Sequence, residues 1–249
     1  MATVAIIGTV PRATVCLPTY NERENLEPMV AALLDRLGTD DTVLVIDDGS
    51  PDGTGRIADR LAEEHARVAV LHRTAKEGLG PAYLAAFRHA LAGGADLVLE
   101  MDCDFSHDPD DVPRLIAAAA DADVVLGSRY VRGGRVENWG MGRRFVSRAG
   151  SLYAQVLLAA PIRDLTGGFK CYRREVLERI DLDAVSSRGY AFQIETTYRA
   201  LRAGFRVVEV PITFSDREAG ASKMSRSIVL EAIWRVPYLG VQTLTGRLR

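Results

Sequence analysis

The chain has 249 residues, of which 47% are hydrophobic and 26% charged, proportions of an ordinary soluble globular protein long enough to bury a substantial core. A formal net charge of −2 supplies no global attraction for nucleic acid, and no apolar run approaches the ~18 residues needed to cross a bilayer. The three cysteines, Cys16, Cys103 and Cys171, are odd in number and lack metal-ligand spacing, which reads as a reduced, cytosolic protein with its thiols packed in strands.

Residues 1–12 read as an N-terminal extension without the basic start or clear cleavage site of a signal peptide. A strand is predicted at 13–17 and a helix at 24–37. The continuous apolar run TVLVI at 42–46 is a second strand, followed by a helix at 54–64. Strands at 68–71 and 97–101 flank a helix that starts near residues 80 and 81, where a proline suits the first turn. A helix at 110–120 and a strand at 124–127 continue the alternation. Strands apolar on both faces, alternating with helices, predict an α/β, Rossmann-like domain: a mostly parallel central sheet flanked by helices. No repeat or linker divides it, so a single domain is expected over 13–224.

Beyond Tyr130 the stretch VRGGRVENWGMGRR is glycine-rich, basic and aperiodic, which predicts a long ordered loop of functional character. A helix follows to about residue 158. RDLTGGFKCYRREVL reads as a loop, a short strand and a helix start, with a further helix at 190–203 and a strand at 206–210. PITFSDREAGASKMSRS is polar and basic. The tail, 225–249, is amphipathic, with Trp234 and Tyr238 near Arg235, Arg247 and Arg249, and Pro237 is expected to interrupt it.

In a parallel sheet, ligands gather at the carboxyl ends of the strands. The first strand ends in LPTYNERENL, which places Pro18, Tyr20 and Glu22 there, although a turn with Asn21 or Arg23 near a helix cap explains this stretch on its own. The second ends in IDDGSPDGT. Turn and cap chemistry accounts for Ser50 to Thr54, but not for Asp47 and Asp48, whose carboxylates can accept hydrogen bonds from a base or ribose. The strand at 97–101 ends in MDCDFSH. In an extended segment Asp102 and Asp104 would share one face, and like charges that close lose ionisation unless a cation sits between them. Stacking on Tyr20, a carboxylate at Asp48 and a bridging Mg2+ or Mn2+ at Asp104 would serve a base, a ribose and a diphosphate. No G-x-G-x-x-G follows the first strand and no Walker loop is present, which argues against a dinucleotide oxidoreductase. The pattern reads as nucleotide-sugar binding.

In chain order, LPTYNERENL, IDDGSPDGT, GLGPAY, MDCDFSHDP, VVLGSRY, GGRVENW, TGGFKCYRREVL and EVPITFSDREAGASK resemble the polyprenol-phosphate (dolichol-phosphate) mannose synthases, inverting glycosyltransferases of GT-A fold, over about residues 13–227. The DDGS and DxD parts are shared by many such transferases, whereas SRY…GGRVENW and REAGASK point to the polyprenol-phosphate branch. The resemblance implies a single GT-A domain that transfers mannose from GDP-mannose to a polyprenyl phosphate with inversion. It implies that Pro18, Tyr20, Glu22, Ile46 and Asp48 hold the guanosine, that Asp102 and Cys103 lie along the nucleotide, and that Asp104 ligates Mg2+ or Mn2+. The family pattern is DADLQH. Cys103 and Ser106 replace its alanine and glutamine here, and Ser106 would coordinate directly or through water.

Elementary chemistry fits such a reaction. A phosphate monoester has a second pKa near 6, so it is already an anionic nucleophile and needs no histidine–acid–nucleophile set. Cations are needed instead, to join two anions and to stabilise the departing diphosphate. Arg129, Arg143 and Ser147 are assigned to the lipid phosphate, Arg143 and Ser147 being four apart on a helix, with Arg144 and Arg148 as the rival pair. Arg217 and Lys223 are assigned to the diphosphate on a closing loop, and Asp102, Asp104 and Arg129 are the expected catalytic set. His107 fits a turn or a catalytic role, Asp164 a loop cap or an orienting role, and Glu195 a buried structural partner for a loop arginine. The tail would lie on the cytoplasmic face of a membrane, dock on an integral membrane anchor protein, or pack on its own domain. Two alternatives are a transferase using UDP-glucose or another nucleotide sugar with the same acceptor, and a non-catalytic nucleotide-binding subunit of a membrane complex. Retention of DxD with the arginine set argues against the latter.

Overall fold

The computed structural model describes residues 11–187, 189–216 and 226–245. Its strands are β1 (Ala13–Thr19), β2 (Thr42–Asp47), β3 (Val68–His72), β4 (Leu97–Glu100), β5 (Val124–Ser128), β6 (Arg135–Val136), β7 (Lys170–Arg173), β8 (Val207–Pro211) and β9 (Thr213–Phe214). The helices are α1 (Leu26–Arg36), α2 (Thr54–Glu64), α3 (Leu79–Ala92), α4 (Val112–Ala118), α5 (Met141–Leu158), α6 (Arg174–Arg179), α7 (Tyr190–Arg202) and α8 (Arg226–Leu244).

Seven strands form one sheet in the order β3-β2-β1-β4-β7-β5-β8. All pairings are parallel except those of β7, which runs antiparallel to both β4 and β5. The period-2 alternation that a two-sided sheet requires is visible in β2: Val43 and Val45 join the core on one face, Leu44 and Ile46 the core on the other. The mostly parallel sheet predicted from sequence is the observed one.

One buried charge breaks the apolar pattern. Glu100, the last residue of β4, sits opposite Lys170 of β7 in the ladder, and both are fully buried. Lys170 Nζ donates to the main-chain oxygen of Gln193 at 2.8 Å and to its Oε1 at 2.5 Å. The Gln193 and Tyr172 side chains lie against the Glu100 carboxyl. Burial raises the Glu100 carboxyl above its usual range against the pull of Lys170, and burial lowers the Lys170 ammonium to about 8 against the pull of Glu100.

The structure departs from the sequence reading in three places. The helix expected at 110–120 is a 3-10 turn, Pro109–Asp111, followed by the shorter α4. Asp108 caps that turn by accepting from the Asp110 N–H at 2.9 Å, and Pro113 has no N–H to give to the first turn of α4. The loop expected across 131–144 contains β6, which pairs in parallel with β9, and it ends where α5 begins. Gly134 makes this possible, because a Cβ there would lie 2.5 Å from the Ser128 carbonyl oxygen. Finally, α8 runs through Pro237 without interruption. The Ile233 carbonyl, which a residue-237 N–H would have bonded, accepts the Tyr153 hydroxyl at 2.9 Å instead.

Helices α5 and α8 pack on each other, and each exposes large apolar side chains. Phe145 and Val156 are 75% and 69% exposed on α5, and Trp234 is 78% exposed on α8. Among the described residues no helix is long and apolar enough to cross a membrane.

Candidate active site

The carboxyl ends of β1, β2 and β3 lie side by side, and register pairs Pro18 with Ile46 and Thr19 with Asp47. Past β1 the chain turns at Asn21, whose φ of 57° is a left-handed conformation that asparagine tolerates. Glu22 is buried; its N–H donates to Thr54 Oγ1 at 3.0 Å and its Oε2 accepts from Asn25 Nδ2 at 2.8 Å. Ile46 is buried and Pro18 half-buried. Asp48 accepts from Arg73 Nη1 at 2.7 Å, and Arg73 also reaches Glu77 at 2.6 Å. Burial lifts the Asp48 carboxyl above its usual range, with Arg73 opposing the shift. Lys76 Nζ stands 4.1 Å over the centre of the Tyr20 ring. The residues expected to hold a nucleoside therefore share one rim, and two basic residues from the β3–α3 connection join them. Arg73 and Lys76 were missed by sequence reasoning, although HRTAKEG, too, begins at a strand end.

The acidic motif is shaped by a turn rather than by a pleat. The β4 strand stops at Glu100 and residues 103–106 bend, so the extended alternation expected for Asp102 and Asp104 does not apply. Phe105 takes a φ of 57°, and Asp104 Oδ1 accepts from both the Ser106 N–H at 3.1 Å and the Ser106 hydroxyl at 2.5 Å. Asp104, Ser106 and Cys103 are buried, and Asp102 is half-buried. His107 Nδ1 accepts from the Asp102 N–H at 3.3 Å. Its ring stacks on Phe169 and meets the edge of Phe214, and burial pushes its pKa down to about 4, so it is a neutral structural acceptor at physiological pH. A β-bridge from His107 to Phe214 ties the turn to β9.

No group of three or more acidic, histidine or cysteine side chains converges on a metal position among the described residues. The side chains of Asp102, Asp104 and Ser106 offer oxygen donors alone. This fits Mg2+ or Mn2+, which take one or two carboxylates and complete their shell with substrate phosphates and water.

On the other side of the motif, Arg129 follows β5 and is gripped by Asp164. Its Nε and Nη2 donate to the two carboxylate oxygens at 2.7 and 2.6 Å, and its own N–H donates to Oδ2 at 2.9 Å. Asp164 is fully buried, and its N–H is held by Glu209. The Arg129 guanidinium also lies against Tyr130, Trp139 and Phe214, within 6 Å of each ring centre. Arg143 stacks on Trp139 at 4.1 Å and donates to Asp216 at 2.8 Å, while the Tyr130 hydroxyl donates to Ser147 at 2.7 Å. Arg129, Arg143 and Ser147, chosen from sequence, are thus gathered around Tyr130 and Trp139. The buried Trp139 Nε1 has no acceptor among the described residues. Arg217 and Lys223 lie outside the described residues. Among the described residues, Glu195 pairs with Arg199 on its own helix and approaches Arg235 of α8.

With this geometry in hand, the chain matches the model of a family described as "Glycosyl transferase family 2" over residues 14–181. It is 49% identical over 247 residues to a polyprenol monophosphomannose synthase of Mycolicibacterium smegmatis, covering 98% of this chain and 93% of that protein. It is 50% identical over 230 residues to an undecaprenyl-phosphate mannosyltransferase of Micrococcus luteus, covering 92% and 94%. Among solved structures it is similar to glucosyl-3-phosphoglycerate synthase of Mycobacterium tuberculosis in complex with Mn2+, UDP-glucose and phosphoglyceric acid, with a TM-score of 0.67 at 19% identity over 91% of this chain and 80% of that one. The complex of the same enzyme with Mg2+ and UDP also gives a TM-score of 0.67 at 19% identity, over 91% and 79%. At that identity the likeness is one of fold.

Proposed function

We propose, on the premise that this chain belongs to glycosyl transferase family 2, that it transfers mannose from GDP-mannose to a polyprenyl phosphate with inversion at the sugar. Polyprenyl-phosphate mannose synthesis is the reaction for which its two half-identical relatives are named, and this chain is a mannosyltransferase of that kind. The choice of GDP-mannose, the dependence on metal, the residue roles and the cellular location are our reading.

The observation that carries the reading is the placement of Arg143. It sits on α5 beside Arg129 and Trp139, and the same helix turns Phe145 and Val156 outward on an apolar face. A nucleophile that is both anionic and lipid-borne needs this combination: cations at the reacting end and a surface that tolerates hydrocarbon beside them. Trp234 and Tyr238 on α8 extend that face. They support a peripheral position on the cytoplasmic face of a membrane, with or without an integral membrane partner. The three buried free thiols agree with a reducing compartment.

In the reaction, a phosphate oxygen of the acceptor attacks the anomeric carbon from the face opposite the diphosphate. The bond from that carbon to the diphosphate oxygen breaks, and its electron pair leaves with GDP. The monoester is already deprotonated near neutral pH, so no base is required. Arg143 and Ser147 hold the attacking phosphate, and Arg129, fixed in plane by Asp164, adds positive charge beside it. Tyr20, Glu22, Ile46, Asp48 and Pro18 frame the guanosine, and Asp102 and Cys103 follow the nucleotide. Asp104 with Ser106 would hold Mg2+ or Mn2+, which supplies charge neutralisation on the diphosphate when bound. Arg217 and Lys223 are assigned to the departing diphosphate.

The test is transfer of labelled mannose from GDP-mannose into organic-extractable lipid, using detergent-dispersed polyprenyl phosphate with Mg2+, Mn2+ or chelator. Metal-dependent label in the lipid phase is expected. Label from another nucleotide sugar alone would correct the donor. No label from any donor, even with added membranes, would overturn the reaction.

A further inference from the structure

A second cationic concavity borders Tyr130, whose hydroxyl donates to Ser147. A cavity of about 280 Å³ is lined by Tyr130, Arg148, Leu152, Gln155 and Arg163. Arg148, Leu152 and Gln155 form one stripe of α5 at i, i+4 and i+7. Arg148 is one residue beyond Ser147 and so points about 100° away around the helix, out of the cluster that contains Arg143 and Ser147. The pocket adjoins that cluster through Tyr130 but draws its cations from other arginines.

Its walls are fixed. Gln155 Nε2 donates to the Ile162 carbonyl at 3.0 Å, and the Arg163 N–H donates to Glu209 Oε2 at 2.9 Å. Its charges are not neutralised: neither the Arg148 nor the Arg163 guanidinium has an acidic partner among the described residues. By contrast, Arg129 and Arg143 are both salt-bridged. Two unpaired guanidiniums on one small concavity repel, and an anion between them turns that repulsion into attraction. The rim is apolar: Leu152 is 56% exposed, and Val156 one turn on continues the outer face of α5. A free anion gains nothing from such a rim, whereas an anion on a hydrocarbon chain does.

We propose that this pocket binds the phosphate of a membrane lipid, as a docking subsite distinct from the reacting position at Arg143 and Ser147. Arg148 and Arg163 take the phosphate oxygens, and Leu152 and Val156 receive the start of the chain. The occupant is a lipid-borne phosphate monoester, from either the polyprenyl acceptor or a phosphatidic acid of the surrounding bilayer. The inference rests on the reading of α5 as a lipid-facing helix.

The experiment is co-flotation of the full chain with phosphatidylcholine vesicles that are pure or doped with polyprenyl phosphate, phosphatidic acid, or phosphatidylserine at matched surface charge. A phosphomonoester lipid should strengthen binding, and Arg148→Gln/Arg163→Gln should reduce that gain by about tenfold or more while leaving binding to pure phosphatidylcholine unchanged. A gain with polyprenyl phosphate alone identifies the acceptor as the occupant, and a gain with both monoesters identifies the headgroup class. An equal gain with phosphatidylserine that the double variant equally loses reveals bulk electrostatics and overturns the site. So does a gain that the double variant keeps. Mannosyl transfer measured in parallel separates the two readings: vesicle binding that needs both arginines, without mannolipid, overturns the reaction alone, and transfer without arginine-dependent binding overturns the pocket alone.

Discussion

Tyr153 of α5 donates its hydroxyl to the main-chain carbonyl of Ile233 in α8 at 2.9 Å, four residues before Pro237. A proline in a helix leaves that carbonyl without its usual donor. One helix thereby completes the hydrogen-bond ladder of the other. Tyr153→Phe should cost on the order of 1 kcal/mol of stability and speed amide exchange in α8, read by urea unfolding and hydrogen exchange. Pro237→Ala restores the N–H, so the double variant should recover most of the loss. A loss unchanged in the Pro237→Ala background would mean that the hydroxyl does not fill the proline gap.

Asp104→Ala should abolish metal-dependent mannosyl transfer and leave the fold intact, since the two bonds that Ser106 gives the carboxylate lie within a single turn of the chain. Turnover with and without chelator, beside a thermal melt, checks this. Full activity would remove the metal assignment.

Arg143→Ala should raise KM for the lipid acceptor well above any change in KM for the donor. The guanidinium is 30% exposed, so its removal should cost little stability. Equal effects on both substrates would place Arg143 on the diphosphate instead.

Asp164→Ala leaves the buried Arg129 guanidinium without its carboxylate, and loss of one member of a buried pair costs roughly 3–5 kcal/mol. A large fall in melting temperature is expected, with a smaller one for Asp164→Asn, which keeps one acceptor oxygen. A marginal effect of Asp164→Ala would show that the pair contributes little to folding.

Lys170 gives an alkaline signature. Its folded pKa of about 8 lies below the unfolded value near 10.4, so between these pH values the unfolded chain binds more protons. The penalty of burying the ammonium is full below pH 8 and relieved as pH rises, by at most about 3 kcal/mol at pH 10 and above. Wild type should therefore gain stability relative to Glu100→Gln/Lys170→Met between pH 8 and 10 in denaturant melts. A parallel pH dependence of the two proteins would contradict the shift.

The elements read most securely from sequence were those whose causes are local. The helix at Thr54–Glu64 matches its prediction because the Ser50–Thr54 turn and its apolar spacing are contiguous in the chain. Asp48, Asp104 and Arg129 stood out because strand ends are recognisable. What escaped notice depends on partners remote in sequence. The β6 strand exists because β9 lies beside it, and α8 survives Pro237 because Tyr153 reaches it. Trp139 and Asp216 organise Arg143 only after the chain has folded. Glu100 hid inside the apolar run LVLE, where nothing local distinguishes a buried acid opposite a lysine from a strand that has simply ended.

All three cysteines are at most 2% exposed, and burial pushes the Cys171 thiol up to about 12 and that of Cys16 higher than its usual range. The chain is therefore inert to thiol reagents while folded. A single cysteine placed at Phe145 or Trp234 would be the sole reactive handle on the molecule. A spin label or fluorophore attached there would serve as a depth gauge, reporting how far α5 and α8 sink into a bilayer without any prior removal of native thiols.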